Sequence, residues 1–129
     1  MNNEAPERLA VFELVSKDGM ELGNVNERFQ AERNVVMAAV NQNGMALVWA
    51  TEALRADREI VLTAVKQDGF ALEFASDALK NDREIVLVAV RQDGLALGSA
   101  SETLRADAEI VMAAVGQRSL ALRYALPMH

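Results

Sequence analysis

The chain has 129 residues, about half of them hydrophobic, with no cysteine and a net charge of −6 at neutral pH. This composition excludes disulfides and thiolate metal sites, and it argues against nucleic acids and anionic membranes as partners, because basic surfaces bind both. No apolar run is long enough for a membrane span or a secretory signal, so we expect a soluble, intracellular and cytoplasmic protein.

A unit of 25 residues recurs almost five times along the chain. Self-similarity at such a period is the signature of a solenoid, whose units are too small to fold alone and must stack. We therefore expect one helical-repeat domain over residues 1–129: an all-α solenoid, right- or left-handed. Each unit would have a longer helix, a glycine cap, and a shorter helix with one further turn. The units are 7–31, 32–56, 57–81, 82–106 and 107–129.

Each unit is predicted to begin with a helix, which in the third unit covers residues 58–67. An acidic residue precedes the helix, where it can accept hydrogen bonds from free backbone N–H groups. These residues are Glu7, Glu32, Asp57, Asp82 and Asp107. Pro6 would open the first helix. A wide apolar arc, formed in the third unit by Ile60, Val61, Leu62, Ala64 and Val65, predicts contact with more than one neighbouring helix.

A glycine marks the predicted end of the helix in four units: Gly19, Gly44, Gly69 and Gly94. Ser119 breaks the pattern in the last unit. Because glycine adopts the left-handed conformation without steric cost, we expect these four residues to be C-caps with positive φ.

A shorter apolar segment follows each glycine, at residues 70–75 in the third unit. Ser76 and its equivalents Asn26, Thr51 and Ser101 are good N-cap residues. They predict a break and one further helical turn, Asp77–Lys80 in the third unit. One continuous helix over 70–80 is the alternative. In the last unit Pro127 follows the cap position, which suits a first helical residue.

The repeated phrase DREIVxxAVxQDGxALxxASxxL closely resembles the tandem repeats of the family called domain of unknown function 4116. Residues 57–79 and 82–104 match it best, 32–54 match with substitutions, and the first and last units are degenerate. The resemblance implies a helical array, usually within larger proteins, and transfers no activity or catalytic residue. The alternation of longer and shorter helices is also similar in architecture to leucine-rich variant repeats.

The charged residues favour structural roles. His129, the only histidine, is the last residue, and the carboxylate pairs recur once per unit, so we expect no catalytic residue, cofactor or metal. Two basic columns would lie beside the acidic caps Asp57, Asp82 and Asp107 of stacked units. An ion-pair network between units is expected there, and a binding strip for an acidic partner is the alternative. The columns are Arg8, Arg33, Arg58 and Arg83, and Arg55, Lys80 and Arg105.

Two neighbouring columns vary strongly between units and supply the candidate partner-binding residues. They are Trp49, Phe74 and Tyr124 in one column, and Val48, Glu73 and Arg123 in the other. Aromatic side chains are favoured interface anchors. The alternative is that they fill gaps of different size between units.

The sequence therefore predicts a non-catalytic scaffold or protein-recognition module with an unidentified protein partner. A structural spacer or a fragment of a larger repeat protein is the alternative, and a carboxylate-based enzyme is a third. Apolar residues of the last unit, among them Leu120, Leu122, Leu126 and Met128, also predict self-association through a terminal repeat.

Overall fold

The computed structural model describes residues 4–127, with side chains from Pro6 onward. Within this part the chain forms α-helices and 3₁₀ helices and no β-strand, which confirms the expected all-α solenoid of 25-residue repeats. The interpretations of Met128 and His129 lie outside the described residues.

The described residues contain nine α-helices and five 3₁₀ helices, which alternate as long α-helix, 3₁₀ helix and short α-helix. The α-helices are α1 (Glu4–Lys17), α2 (Glu27–Gln30), α3 (Arg33–Gln42), α4 (Glu52–Arg55), α5 (Arg58–Gln67), α6 (Asp77–Lys80), α7 (Arg83–Gln92), α8 (Glu102–Arg105) and α9 (Ala108–Gln117). The 3₁₀ helices are Gly19–Asn24, Gly44–Trp49, Gly69–Phe74, Gly94–Ser99 and Ser119–Tyr124.

Acidic N-caps begin three of the long helices. The carboxylates of Asp57, Asp82 and Asp107 accept hydrogen bonds from the backbone N–H three residues later, at 3.1, 3.2 and 3.1 Å. Glu32 holds the N-cap position of α3 without a side-chain cap bond. Glu7 is not a cap, because α1 begins at Glu4 and contains Glu7.

Pro6 therefore lies inside the first turn of α1 and does not open it. The first four N–H groups of a helix have no partner within the helix, so proline at this position removes no hydrogen bond.

The expected positive φ of the glycines is wrong. Among the described residues no glycine has φ above zero, and α5 ends at Gln67, with Asp68 as its extended C-cap. The glycine is required by a contact with the following unit. A Cβ added to Gly69 would lie 2.4 Å from the carbonyl oxygen of Ala89, and one added to Gly44 would lie 2.2 Å from that of Ala64.

The same contact occurs at the other two glycines of the column. A Cβ added to Gly19 would lie 2.3 Å from the carbonyl oxygen of Ala39, and one added to Gly94 would lie 2.2 Å from that of Ala114. The glycine column thus marks where the backbones of successive units meet most closely. Ser119 occupies this column in the fifth unit, where the described residues place no following alanine.

The expected break after each 3₁₀ helix is confirmed. The 3₁₀ helix Gly69–Phe74 has the extended residue Ala75 as its C-cap, and α6 begins after the N-cap Ser76, whose hydroxyl accepts from the N–H of Leu79 at 3.4 Å. The alternative of one continuous helix over 70–80 is therefore wrong. Pro127 lies after the last described helix, so the helical role expected for it is not observed.

The helices form two layers with one core between them. Successive long helices pack side by side, the 3₁₀ helices do the same, and each long helix from α3 onward also packs on the 3₁₀ helix of the preceding unit. Ile60, Val61, Ala64 and Val65 of α5 are fully buried. Leu62 is half-buried on the outer face, so the core stripe is narrower than the sequence predicts.

Backbone hydrogen bonds between neighbouring units fix their register. The N–H groups of Thr51, Ser76 and Ser101 donate to the carbonyls of Gln30, Arg55 and Lys80, at 3.2, 3.0 and 2.9 Å. Each bond satisfies a carbonyl at the end of a short helix, which has no partner within that helix.

Between residues 4 and 127, every helix is too short or too polar to traverse a lipid bilayer.

Candidate functional site

A groove lies on the outer face of α1 and α3, the first two long helices. Its volume is about 1200 Å³. The apolar lining includes Leu9, Phe12 and Met37; Leu9 and Phe12 are 59% and 40% exposed, whereas Met37 is half-buried. The polar lining includes Asn34 and Asn41, both exposed. An apolar floor with polar edges is typical of a binding site for another molecule.

The groove follows the helices along their length, because its lining extends from Arg8 to Ser16 on α1 and from Glu32 to Gln42 on α3. At a rise of 1.5 Å per residue, ten residues correspond to about 15 Å. The two helices hold the lining residues on rigid backbone. One edge is fixed by the ion pair between Arg8 Nη2 and Glu32 Oε1, at 2.8 Å.

That ion pair is the first rung of a ladder that joins each unit to the next. Arg33 pairs with Asp57 and Glu59 at 2.9 and 2.7 Å, and the same pattern recurs in the following units. Its remaining members are Arg58 with Asp82 and Glu84, and Arg83 with Asp107 and Glu109. This arrangement is the network between units that the sequence predicts for the first basic column.

The ladder and the helix caps stabilise the ionised carboxylates. Hydrogen bonds from Arg33 and Arg58 lower the pKa of Asp57 and of Asp82 below the ordinary range. The pKa of Asp107 is lowered mainly by the backbone N–H of Ile110, with a smaller effect of Arg83. A general acid needs the opposite shift, so these residues fit the role of caps and ion-pair partners.

The second basic column does not form the expected ion pairs with the acidic caps. Within the described residues, Arg55, Lys80 and Arg105 take part in none of the ion pairs. Arg105 Nε donates instead to the carbonyl oxygen of Tyr124 at 2.9 Å. Arg55 Nε is buried without a hydrogen-bond partner in the described part of the chain, beside a cavity of about 220 Å³ that Phe74 also lines.

The variable aromatic column lies where units meet. The ring of Trp49 covers Gly23 of the preceding unit, since a Cβ added to Gly23 would lie 2.5 Å from the ring. The ring of Tyr124 covers Gly98 in the same way, at 3.0 Å. These two aromatics thus fill gaps between units, although Trp49 stays 42% exposed.

The other candidate residues do not line the groove. Phe74 packs half-buried against the core, Val48 is half-buried, and Glu73 and Arg123 are exposed. A partner-binding role of these residues stays a prediction.

The end faces of the stack expose apolar side chains. At the far end, which the fifth unit forms, Leu120, Leu122 and Met112 are 56%, 64% and 73% exposed, while Leu126 is half-buried. At the near end, which the first unit forms, Leu14 is 43% exposed. Leu120 and Leu122 are therefore exposed as predicted for the terminal surface. A role of this surface in self-association stays a prediction.

Sequence reasoning missed the groove and one contact between units. Phe12 and Met37 share a repeat position with Leu62, which the sequence places in the apolar arc of its helix. The unusual width of that arc was the available indication that some of its residues lie outside the core. The missed contact involves glutamine: the side-chain oxygens of Gln42 and Gln117 accept from the N–H groups of Gly19 and Gly94, at 2.6 and 2.5 Å.

Comparison with protein families gave one match in three places. The model of the family described as "Domain of unknown function (DUF4116)" matches residues 8–55, 57–105 and 89–128. Comparisons with curated proteins and with solved structures gave no significant match. Since the matched segments cover most of the chain, the chain belongs to this family.

Proposed function

We propose that this member of the DUF4116 family is a non-catalytic scaffold that recognises a protein partner by binding one of its helices in the groove between α1 and α3. The observation that carries the proposal is the groove itself, with Phe12 and Met37 at its floor and polar residues at its edges. Aromatic and methionine side chains are enriched in the buried centres of protein interfaces.

An amphipathic helix fits the groove better than an extended chain. The groove runs along two parallel elements for about ten residues, and a partner helix of three turns would match that length. Its apolar face would cover Phe12 and Met37, and its polar flank would meet Asn34 and Asn41. Such helix-in-groove recognition places apolar anchors at i, i+3, i+4 and i+7 of the bound helix.

The carboxylates support a role without catalysis. Asp57, Asp82 and Asp107 are held ionised by caps and arginine neighbours, and each repeats the same bonds in its own unit. A catalytic carboxylate is normally singular in its surroundings and shifted towards its working pH. The repeated bonds instead rigidify the stack on which the groove is built.

A second candidate function, a structural spacer within a larger assembly, is favoured by the exposed apolar end face at Leu120 and Leu122. The two functions differ in the surface that they use. A recognition module depends on the groove, whereas a spacer depends on its ends.

Two methionines at the same repeat position allow a matched test. The wild-type chain captures proteins from an extract of its native source, and each purified candidate is then titrated against wild type, Met37→Lys and Met112→Lys. Met37 lies in the groove, and Met112 is 73% exposed at the far end. We expect Met37→Lys to weaken binding at least about tenfold, or about 1.4 kcal/mol, because the partner would have to cover a charged ammonium group in an apolar contact. Met112→Lys should leave binding unchanged.

Phe12→Lys, at a position that is 40% exposed, repeats the test with less risk to folding, which circular dichroism checks. Unchanged affinity in both groove variants would reject the groove as the binding site. Loss of binding in Met112→Lys alone would favour the spacer.

A further inference from the structure

We propose that the two end faces of the stack block further in-register stacking, so that a second copy of this chain cannot add head to tail. The proposal rests on the interface that joins the internal units and on four residues that depart from it in the terminal units, namely Leu9, Leu14, Ala108 and Ser119. Of these residues, only Leu9 also lines the groove.

Each internal interface has a giving face and a receiving face. On the giving face, a glycine lies under the carbonyl of the next unit, and an arginine reaches the acids of the next unit. Gly69 and Arg58 play these parts for the contact between the third and fourth units. On the receiving face, the alanine column is fully buried, as at Ala89, and Glu84 accepts from Arg58.

The fifth unit lacks both parts of the giving face. Ser119 replaces the glycine, and Ala108 replaces the arginine. At the four internal glycines an added Cβ would lie 2.2–2.4 Å from the carbonyl oxygen above it. The Cβ of Ser119 would meet a further unit at the same distance, which no real contact allows, and Ala108 offers no ion pair to offset the clash.

The first unit lacks the receiving face. Leu14 replaces the alanine and is 43% exposed, whereas the alanines of the later units are fully buried. An incoming unit would have to accommodate three more carbon atoms where the stack leaves no space. Leu9 stands where Glu59 and Glu84 accept from arginine. Because Asn34 holds this position at the first internal interface, which still forms, the obstacle in the first unit is the bulk of Leu14 and the missing acid only weakens docking further.

The blocked geometry matters because both ends expose apolar side chains. Complementary end faces on one molecule form heterologous contacts that do not close and therefore grow into filaments. Here the exposed Met112, Leu120 and Leu122 would drive such growth if the units could dock in register. Ser119 and Leu14 remove that register and leave the internal interfaces unaffected.

Restoring one end on each of two chains tests the proposal. One variant carries Ala108→Arg and Ser119→Gly, and the other carries Leu9→Glu and Leu14→Ala. All four positions are exposed, so both variants should fold, which circular dichroism verifies. Because each variant has one restored end, a mixture can form a head-to-tail pair and then stop.

In sedimentation velocity, we expect the equimolar mixture at high micromolar concentration to form a species of twice the 14.1 kDa chain mass that neither variant forms alone. A chain that carries all four substitutions should grow into larger oligomers. A mixture of folded variants that stays monomeric would overturn the proposal. Growth of the wild-type chain into head-to-tail oligomers would overturn it as well.

Discussion

The glycine at the start of each 3₁₀ helix is the residue on which the stack depends most. Its φ is ordinary, so any residue could adopt its backbone conformation. The restriction comes from the carbonyl of the following unit, which leaves no space for a Cβ. One missing methyl group therefore sets how closely two units approach, and that approach buries the alanine column.

Two glycines of the same chain should respond in opposite ways to alanine. Gly69→Ala should lower the free energy of unfolding by about 1–3 kcal/mol, because Ala89 and its helix must shift. Gly116 lies inside α9 with no atom within 4 Å of an added Cβ. Gly116→Ala should raise stability by about 0.8–1 kcal/mol through helix propensity.

Urea titration of both variants measures the difference. The contact would be disproved by a Gly69→Ala chain as stable as wild type.

Local chemistry made part of the fold predictable from the sequence. The caps Asp57 and Ser76 act on N–H groups three residues away, so their roles could be inferred within one unit. The glycine was misread because its constraint comes from another unit. Ser119 carried the signal: a turn that needs positive φ needs it in every unit, so a serine in the same column indicates that φ is ordinary there.

The groove was not predictable by the same reasoning. Phe12 and Met37 follow the apolar pattern of core residues, and only the relative position of α1 and α3 brings them to an open face. The aromatic column could be identified as variable, but the sequence did not show that Trp49 lies over Gly23.

At the scale of the elements, the long helices are joined along one edge by the arginine ladder. Each rung connects the start of one long helix to the start of the next, and the acid that it reaches is also the N-cap of that helix at Asp57, Asp82 and Asp107. A single carboxylate thus stabilises its own helix and the contact with the preceding unit.

The ladder should make stability depend on pH in the acid range. The pKa of Asp82 is lower in the folded chain than the usual value of about 3.9 for an unfolded chain. Its contribution is therefore fully present above that value and is lost as the pH falls through the lower folded pKa. Arg58→Gln should raise the pKa of Asp82 and reduce this acid-induced loss.

Thermal melts between pH 2 and 7 measure the effect, with Arg91→Gln as the control that removes one exposed arginine of α7 outside the ladder. At pH 7 the Arg58 guanidinium is solvated and its pairing is screened by water, so Arg58→Gln should lower stability only slightly there. If Arg58→Gln and Arg91→Gln had identical pH profiles, the ladder would not contribute to the pH dependence of stability.

At the scale of the whole molecule, the units form a linear stack in which the main contacts join neighbours in the chain. An internal unit is covered on both sides, and a terminal unit is covered on one. The side chains show the consequence: the leucine column is fully buried at Leu47, Leu72 and Leu97, whereas Leu122 is 64% exposed. The free energy of local unfolding should therefore decline from the centre of the stack to its ends.

Amide hydrogen exchange of the wild-type chain at low concentration tests this claim most directly. We expect the slowest exchange in α5 and α7, at buried residues such as Val61, Val65 and Val86, and exchange at least about tenfold faster in α1 and α9. Exchange in α9 as slow as in α5 would contradict the account, because it would mean that the last unit is covered as fully as the units inside the stack.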